Sequence, residues 1–302
     1  MFPILSIPIP FDPNIISTGV FVLSWHGFLS VVGAGVAVWM AGRAAVRDKL
    51  NKDLVYNTAV WGIVGGIIGA RLVHVFDHWD FYSGNPTLIF QVWSGGIGLW
   101  GGIIGGWIGG STYGFISRQN VGKLMDIGAP SLLVGQTIGR VGDIINGEHC
   151  SSSTNLPWGW FFTDSDSPGR FCIESSESWS QGIFPPGTSS ETPVHPVVVY
   201  EMIWNICGLL LITFLRRKIK PYGSIFYVYL AWYSVGRFFL QFLRLDAVKF
   251  AGLQEAHIIA LITFTISALF IVFKVRFGSL DYDVESNIGG RSERRRKLKE
   301  SR

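Results

Sequence analysis

The sequence predicts an all-α integral membrane protein of about seven transmembrane helices with a small extracytoplasmic cap, its N-terminus outside and its C-terminus in the cytoplasm. Three observations carry this. Of the 302 residues, 48% are hydrophobic and only 15% charged, against about 25% charge in an average soluble domain. Apolar stretches recur at about 20 residues, the length a helix needs to cross the hydrocarbon layer, and each is bounded by charge. Nineteen of the 25 Lys and Arg residues fall on one side of the alternating topology that these stretches define, which sets that side as cytoplasmic. The net charge of +4 and pI near 9.0 therefore reflect membrane topology, and no nucleic-acid-binding module accompanies them.

The first span, near 18–40, is followed by Arg43, Arg47, Lys49 and Lys52. The second, near 56–76, carries Gly62, Gly65, Gly66 and Gly69, small residues that let helix backbones approach closely. A third, near 88–116, is long enough to be tilted or broken and contains the double-glycine run Gly95-Gly96-Ile97-Gly98-Leu99-Trp100-Gly101-Gly102-Ile103-Ile104-Gly105-Gly106. That run reads either as close helix packing or as a broken helix whose freed N–H groups face an anionic group. Arg118 and Lys123 follow, then a fourth span near 124–146.

The connection 147–194 is rich in Ser, Thr, Gly and Pro and carries Asp164, Asp166, Glu174, Glu177 and Glu191, which predicts a folded external cap. Cys150 and Cys172 both lie in it, and an outward-facing loop allows them to pair or to stay free. Spans near 195–215, 222–243 and 255–273 complete the set, with Cys207 as a core residue and Arg216, Arg217, Lys218 and Lys220 after the fifth. The division expected is a membrane domain over 1–277 and a basic cytoplasmic tail, 278–302, disordered or resting on anionic lipid. Residues 1–17 lack a basic leader and read as an external segment, or as one lying in the outer headgroup layer through Phe2, Ile4, Leu5 and Ile7.

Charge inside the membrane is costly, roughly 2.5–3.5 kcal/mol per group on insertion scales, so it needs partners or a wet cavity. Arg71, Arg140, Glu148, Glu201, Arg237 and Arg244 all fall toward the outer halves or ends of their spans, with His26 near mid-depth in the first. A polar chamber open to the outer leaflet is the simplest arrangement. Structural ion pairing is the competing reading, strongest for Arg71 and Glu201.

The densest chemistry lies in Gly139-Arg140-Val141-Gly142-Asp143-Ile144-Ile145-Asn146-Gly147-Glu148-His149. Arginine grips phosphate bidentately, asparagine orients a carboxylate or headgroup hydroxyl, and Glu148 or His149 is able to take a proton. A capped helix end with interfacial polar residues is the plainer alternative.

This segment resembles the signature of the prolipoprotein diacylglyceryl transferases, Gly-Arg-x-Gly-Asn-Phe-x-Asn-x-Glu, which Arg140, Gly142, Asn146 and Glu148 match. Gly69-Ala70-Arg71-Leu72, the glycine run at 95–106, His195-Pro196 with Tyr200-Glu201, and Gly236-Arg237-Phe238 with Arg244 extend the likeness over about residues 15–275. The resemblance implies seven spans in the bacterial inner membrane. It also implies transfer of a diacylglyceryl group from phosphatidylglycerol to the lipobox cysteine thiol of a prolipoprotein signal peptide, with release of glycerol phosphate. It places phosphatidylglycerol on Arg140, with Gly142, Asp143, Asn146 and Arg244 around it, and makes Arg237 the second essential arginine. No metal or cofactor is implied, and no metal-ligand cluster or Walker loop is visible in the sequence.

The chain departs from the family pattern at His26, often a tyrosine; at Trp100, usually His or Tyr; at Asp143, in place of asparagine; at Ser151, usually glycine; and at Gln241, in place of glutamate. Indole N–H only donates, so Trp100 is no base. His26 becomes the first candidate, with Glu148 and His149 behind it. Two other functions stay open: a catalytically silent phosphatidylglycerol-binding relative, and a small-anion transporter, against which the lack of an internal repeat argues.

Overall fold

The computed structural model describes residues 6–18, 22–91, 96, 98–147, 149–175, 184–246, 248–250 and 252–278. Glu148, Glu177 and the basic tail beyond Gly278 lie outside these residues. Long helices dominate: α1 (Trp25–Arg47), α2 (Lys52–Asp77), α4 (Leu99–Ile116), α5 (Val121–Asn146), α7 (Val197–Leu215), α8 (Ser224–Gln241) and α9 (Glu255–Lys274). Each matches one of the seven predicted spans. Short helices α3 (Trp79–Ser83) and α6 (Pro168–Glu174) and a 3-10 turn at Pro86–Phe90 sit between them.

Helices α1, α2, α7 and α9 are long and apolar enough to cross a membrane. The others reach similar lengths but dilute their apolar residues with glycine and tryptophan (α4), charge (α5), or tyrosine and serine (α8). Val31, Phe76, Leu210 and Phe273 are all at least two-thirds exposed. Helices so apolar on the outside belong in lipid.

The first helix starts later than the apolar run suggests. Val22–Ser24 (β3) pairs antiparallel with Asn14–Ser17 (β2), and only then does the chain turn into α1. A short apolar strand leading into a helix is indistinguishable from one more helical turn by apolarity alone. His26 consequently lies in the first turn of α1, at the helix end, and not at mid-depth as expected. The third span is also shorter: regular helix begins at Leu99.

The described chain forms two compact units. One contains the residues up to Ala37 together with Ala129–Gly278, and the other contains Val38–Gly128.

In the second unit, α2 and α4 pack through facing glycines. A Cβ on Gly62 would lie 3.4 Å from the Gly106 carbonyl oxygen, and one on Gly66 would lie 3.2 Å from that of Gly102. Gly65 and Gly69 approach the carbonyl oxygens of Gly105 and Gly101 more closely still. The packing reading of both glycine sets is therefore the observed one over 101–109. At the start of α4 the Gly98 N–H donates to the Ala70 carbonyl at 2.8 Å, so this group is used within the fold.

The first unit carries the cap. Ile7–Ile9 (β1) pairs in parallel with Trp160–Phe162 (β4), and Ile9, Trp160, Phe162, Ile173, Phe184, Val194 and Val198 close over a small apolar core. Cys150 and Cys172 are disulfide-bonded at its edge. The N-terminal segment is thus part of the cap from Ile7 onward. Two-residue strands β5 (Ile219–Lys220) and β8 (Arg276–Phe277) pair with each other, as do β6 (Val248–Phe250) and β7 (Leu253–Gln254).

Candidate active site

Three backbone devices in the first unit bring charged residues together. Along α5, Gly135 meets Gly33 of α1, and Gly142 meets the backbone of Trp25 and His26, where a Cβ would come within 2.8 Å of the His26 Cα. Without side chains at these points, the first turn of α1 rests on the last turns of α5. The His26 N–H then donates to Asn146 Oδ1 at 3.4 Å.

Helices α7 and α8 are clamped by a stacked tryptophan pair. Trp204 and Trp232 lie 4.3 Å apart, and each indole N–H donates to the other's carbonyl at 2.9 Å. Gly236 and Gly208 leave room for these rings. One turn along α7 from Trp204 is Glu201, and one residue beyond Gly236 is Arg237. The clamp fixes their separation.

The third device is a backbone splice. Ser151 bridges Arg244, the Ser152 N–H donates to the Leu243 carbonyl at 2.9 Å, and the Leu245 N–H donates to the Cys150 carbonyl at 3.0 Å. His149, in a left-handed backbone conformation (φ 75°), is thereby set beside Arg244.

The side chains converge on Glu201 and Asp143. Arg140 Nη2 lies 2.6 Å from Glu201 Oε2, Arg237 Nη1 donates to Glu201 Oε1 at 3.0 Å, and Arg244 Nη1 stands 3.9 Å from the same oxygen. Arg140 Nη1 also donates to Asp143 Oδ2 at 2.6 Å, while Asp143 Oδ1 contacts His26 Nδ1. Arg244 donates to His149 Nδ1 at 2.7 Å, and Arg140 Nη1 lies 3.1 Å from His149 Nε2. Burial first, and then Arg244 and Arg140, push the His149 imidazole down to about 3, so it stays neutral.

Three guanidiniums, that of Arg244 buried and those of Arg140 and Arg237 half-buried, thus share two buried carboxylates. The third acid, Asp246, accepts from Arg244 Nε at 3.2 Å but is 41% exposed at the rim. Arg244 Nη1 is buried and has no hydrogen-bond acceptor among the described residues. A buried guanidinium with an unused donor, backed by two more, favours an anion with several oxygens.

Of the residues singled out in the sequence, Arg140, Asp143, Asn146, His149, Arg237, Arg244 and His26 come together, with Gly142 as the point of close approach. Glu148 lies outside the described residues. Arg71 belongs to the other unit and donates to the carbonyls of Leu88, Ile89 and Gly96 at 2.5, 2.8 and 2.8 Å, with the Tyr82 ring against its guanidinium. Backbone carbonyls of its own unit hold Arg71 where it stands.

Glu201 was undervalued as half of a structural pair. It is the hub of the cluster, and its signal was its standing as the sole acid in the apolar run 197–215. Trp100 lies in the first turn of α4, in the second unit.

Residues 13–273 match the protein family described as prolipoprotein diacylglyceryl transferase. The phosphatidylglycerol–prolipoprotein diacylglyceryl transferase of Staphylococcus aureus (strain Newman) is 31% identical over 264 residues, which cover 87% of this chain and 89% of the relative. The protein of that name from Bacillus mycoides (strain KBAB4) is 31% identical over 271 residues, covering 89% and 94%. Its counterpart from Lysinibacillus sphaericus (strain C3-41) is 32% identical over 266 residues, covering 87% and 92%. A match of this extent, running through every element that builds the charge cluster, means that the chain belongs to the prolipoprotein diacylglyceryl transferase family.

Proposed function

We propose that the protein transfers the diacylglyceryl group of phosphatidylglycerol to the lipobox cysteine thiol of a prolipoprotein, the first step of lipoprotein maturation. The thiolate sulfur attacks the glyceryl carbon that bears the phosphate ester. A carbon–sulfur bond forms, the carbon–oxygen bond to phosphate breaks, and glycerol phosphate leaves with the bonding electrons. The protein must therefore bind a phosphodiester, stabilise charge on a departing phosphate and take one proton from a thiol.

The observation that carries this reading is the pair Arg140 and Arg237 on the two oxygens of one carboxylate, Glu201, with Arg244 at its side. A phosphate oxygen pair has the same donor demand as that carboxylate. In this proposal Arg140 holds the phosphate of the bound lipid, Arg237 stabilises the charge that develops on departure, and Arg244 and Asn146 bind the rest of the headgroup. His26 is the base. Its side chain is 41% exposed, whereas His149 is buried between two arginines and, with its value near 3, is too weak a base for a thiol at neutral pH.

The placement is that of a multi-pass inner-membrane protein whose seven long helices all cross. The N-terminus and the cap over 147–194 face outward, and residues 1–277 form the transferase domain. The tail 278–302 stays in the cytoplasm. Partners are phosphatidylglycerol, a signal peptide with its lipobox cysteine, and surrounding lipid.

Purified protein in phosphatidylglycerol vesicles with a lipobox peptide is expected to release glycerol phosphate and yield a thioether-linked peptide. Growth of a bacterium depleted of its own transferase, on expression of this chain, is the cellular counterpart. Phosphatidylglycerol binding without release would instead mark a silent relative and overturn the transferase reading.

A further inference from the structure

Asp143 is a carboxylate placed where a cationic donor, Arg140, and an imidazole, His26, meet one acceptor group. Its side chain is 4% exposed, and its two oxygens are divided: Oδ2 accepts from Arg140 Nη1 at 2.6 Å, and Oδ1 contacts His26 Nδ1. An imidazole whose Nδ1 faces a carboxylate carries its proton there, which places the basic lone pair on Nε2. The same carboxylate stabilises the imidazolium formed when the ring takes a proton and fixes the ring plane. Gly142 makes the contact reachable by letting the His26 backbone touch α5 one residue before Asp143.

An amide could not replace this acid without loss. It has one acceptor oxygen and a donor NH2, so it would satisfy either Arg140 or His26 and turn an N–H against the other. Arg140, by contrast, has a second carboxylate, Glu201, at 2.6 Å. Loss of Asp143 therefore falls mainly on the imidazole.

We propose that Asp143 is the positioning residue of an Asp143–His26 dyad, holding His26 as the Nδ1–H tautomer so that Nε2 takes the proton of the incoming thiol. This rests on the transferase reading and assigns Asp143 to the base rather than to the lipid headgroup. The phosphate-binding arginine and the base are then joined through one carboxylate.

A double-mutant cycle in phosphatidylglycerol vesicles with a lipobox peptide tests it. Asp143→Asn is expected to lower kcat by about 10²-fold with KM for phosphatidylglycerol nearly unchanged, and to have almost no effect in a His26→Gln background. Asp143→Glu, which keeps the charge but displaces the oxygens, is expected to follow the same pattern and serves if the asparagine variant does not fold. Equal losses in both backgrounds, or a raised KM with kcat intact, would overturn the dyad. Nitrogen-15 NMR of labelled histidines, with His26 assigned by difference from His26→Gln, reads the tautomer without any turnover. Wild-type protein is expected to show Nδ1–H at His26, and Nε2–H would overturn the proposal. Absence of glycerol phosphate release with the Nδ1–H tautomer present would count against the transferase reading alone.

Discussion

Two arginines inside the helical units, the buried Arg71 in one and the half-buried Arg140 in the other, solve the same electrostatic problem in different ways. Arg71 spends its donors on main-chain carbonyls of Leu88, Ile89 and Gly96, partners that belong to the fold and cannot be exchanged. Arg140 spends its donors on Glu201 and Asp143, carboxylates it shares with Arg237 and His26. A guanidinium sealed by carbonyls fastens a turn. One that shares carboxylates with other cations sits where an incoming anion changes the balance. Burial and charge alone do not distinguish the two; the chemistry of the acceptor does.

The largest expected effect separates them directly. Arg140→Ala abolishes transfer, a loss of at least about 10³-fold in kcat, while the folded fraction is judged by thermal unfolding in detergent. In Arg71→Ala, three carbonyls lose their donor, at about 1–3 kcal/mol for each unsatisfied buried group. The yield of folded protein drops, and activity per folded molecule stays close to wild type. Comparable activity loss per folded molecule in both would erase the contrast.

Next in size is the glycine seam between α2 and α4. Gly105→Val drives a side chain into the Gly65 carbonyl, and overpacking of this kind costs about 1–3 kcal/mol. A lower unfolding temperature, without change in KM, is the expected result; an unchanged temperature would mean that the seam opens freely.

The smallest effect concerns His149. Its folded value near 3 lies below the ordinary 6.5, so the unfolded chain binds more protons between these values. Stability therefore rises with pH across that window and falls on acidification. Unfolding midpoints followed from pH 7 to pH 4 are expected to decline less steeply in His149→Gln than in wild type. Superimposable declines would show that His149 is not the group responsible.

How much of this was legible in the sequence follows from the range over which each interaction acts. Long helices are local, and all seven apolar runs correspond to one. The Arg140–Asp143 contact is an i,i+3 neighbour on a single helix, visible from spacing. The His26–Asp143 contact joins opposite ends of different helices, and only the crossing at Gly142 creates it. Spacing alone accordingly groups Asp143 with the headgroup residues around Arg140. His26 was placed too deep because β3 continues the apolar run without a break in composition. The pairing of Ile7–Ile9 with Trp160–Phe162 left no trace in either segment, since three-residue strands carry too little alternation to register.

That parallel pairing also sets an order of events. Ile7–Ile9 cannot find their place until Trp160–Phe162 has been made, by which time four of the seven long helices have been synthesised and three have not. Contacts so distant in sequence form late, after closer ones have reduced the entropy of closing the loop. Because β1 leads through the β2–β3 pair into His26, the start of α1 is pinned from this side only once β1 and β4 have paired. The imidazole end of the Asp143–His26 contact is therefore locked in position only after Trp160–Phe162 has been made.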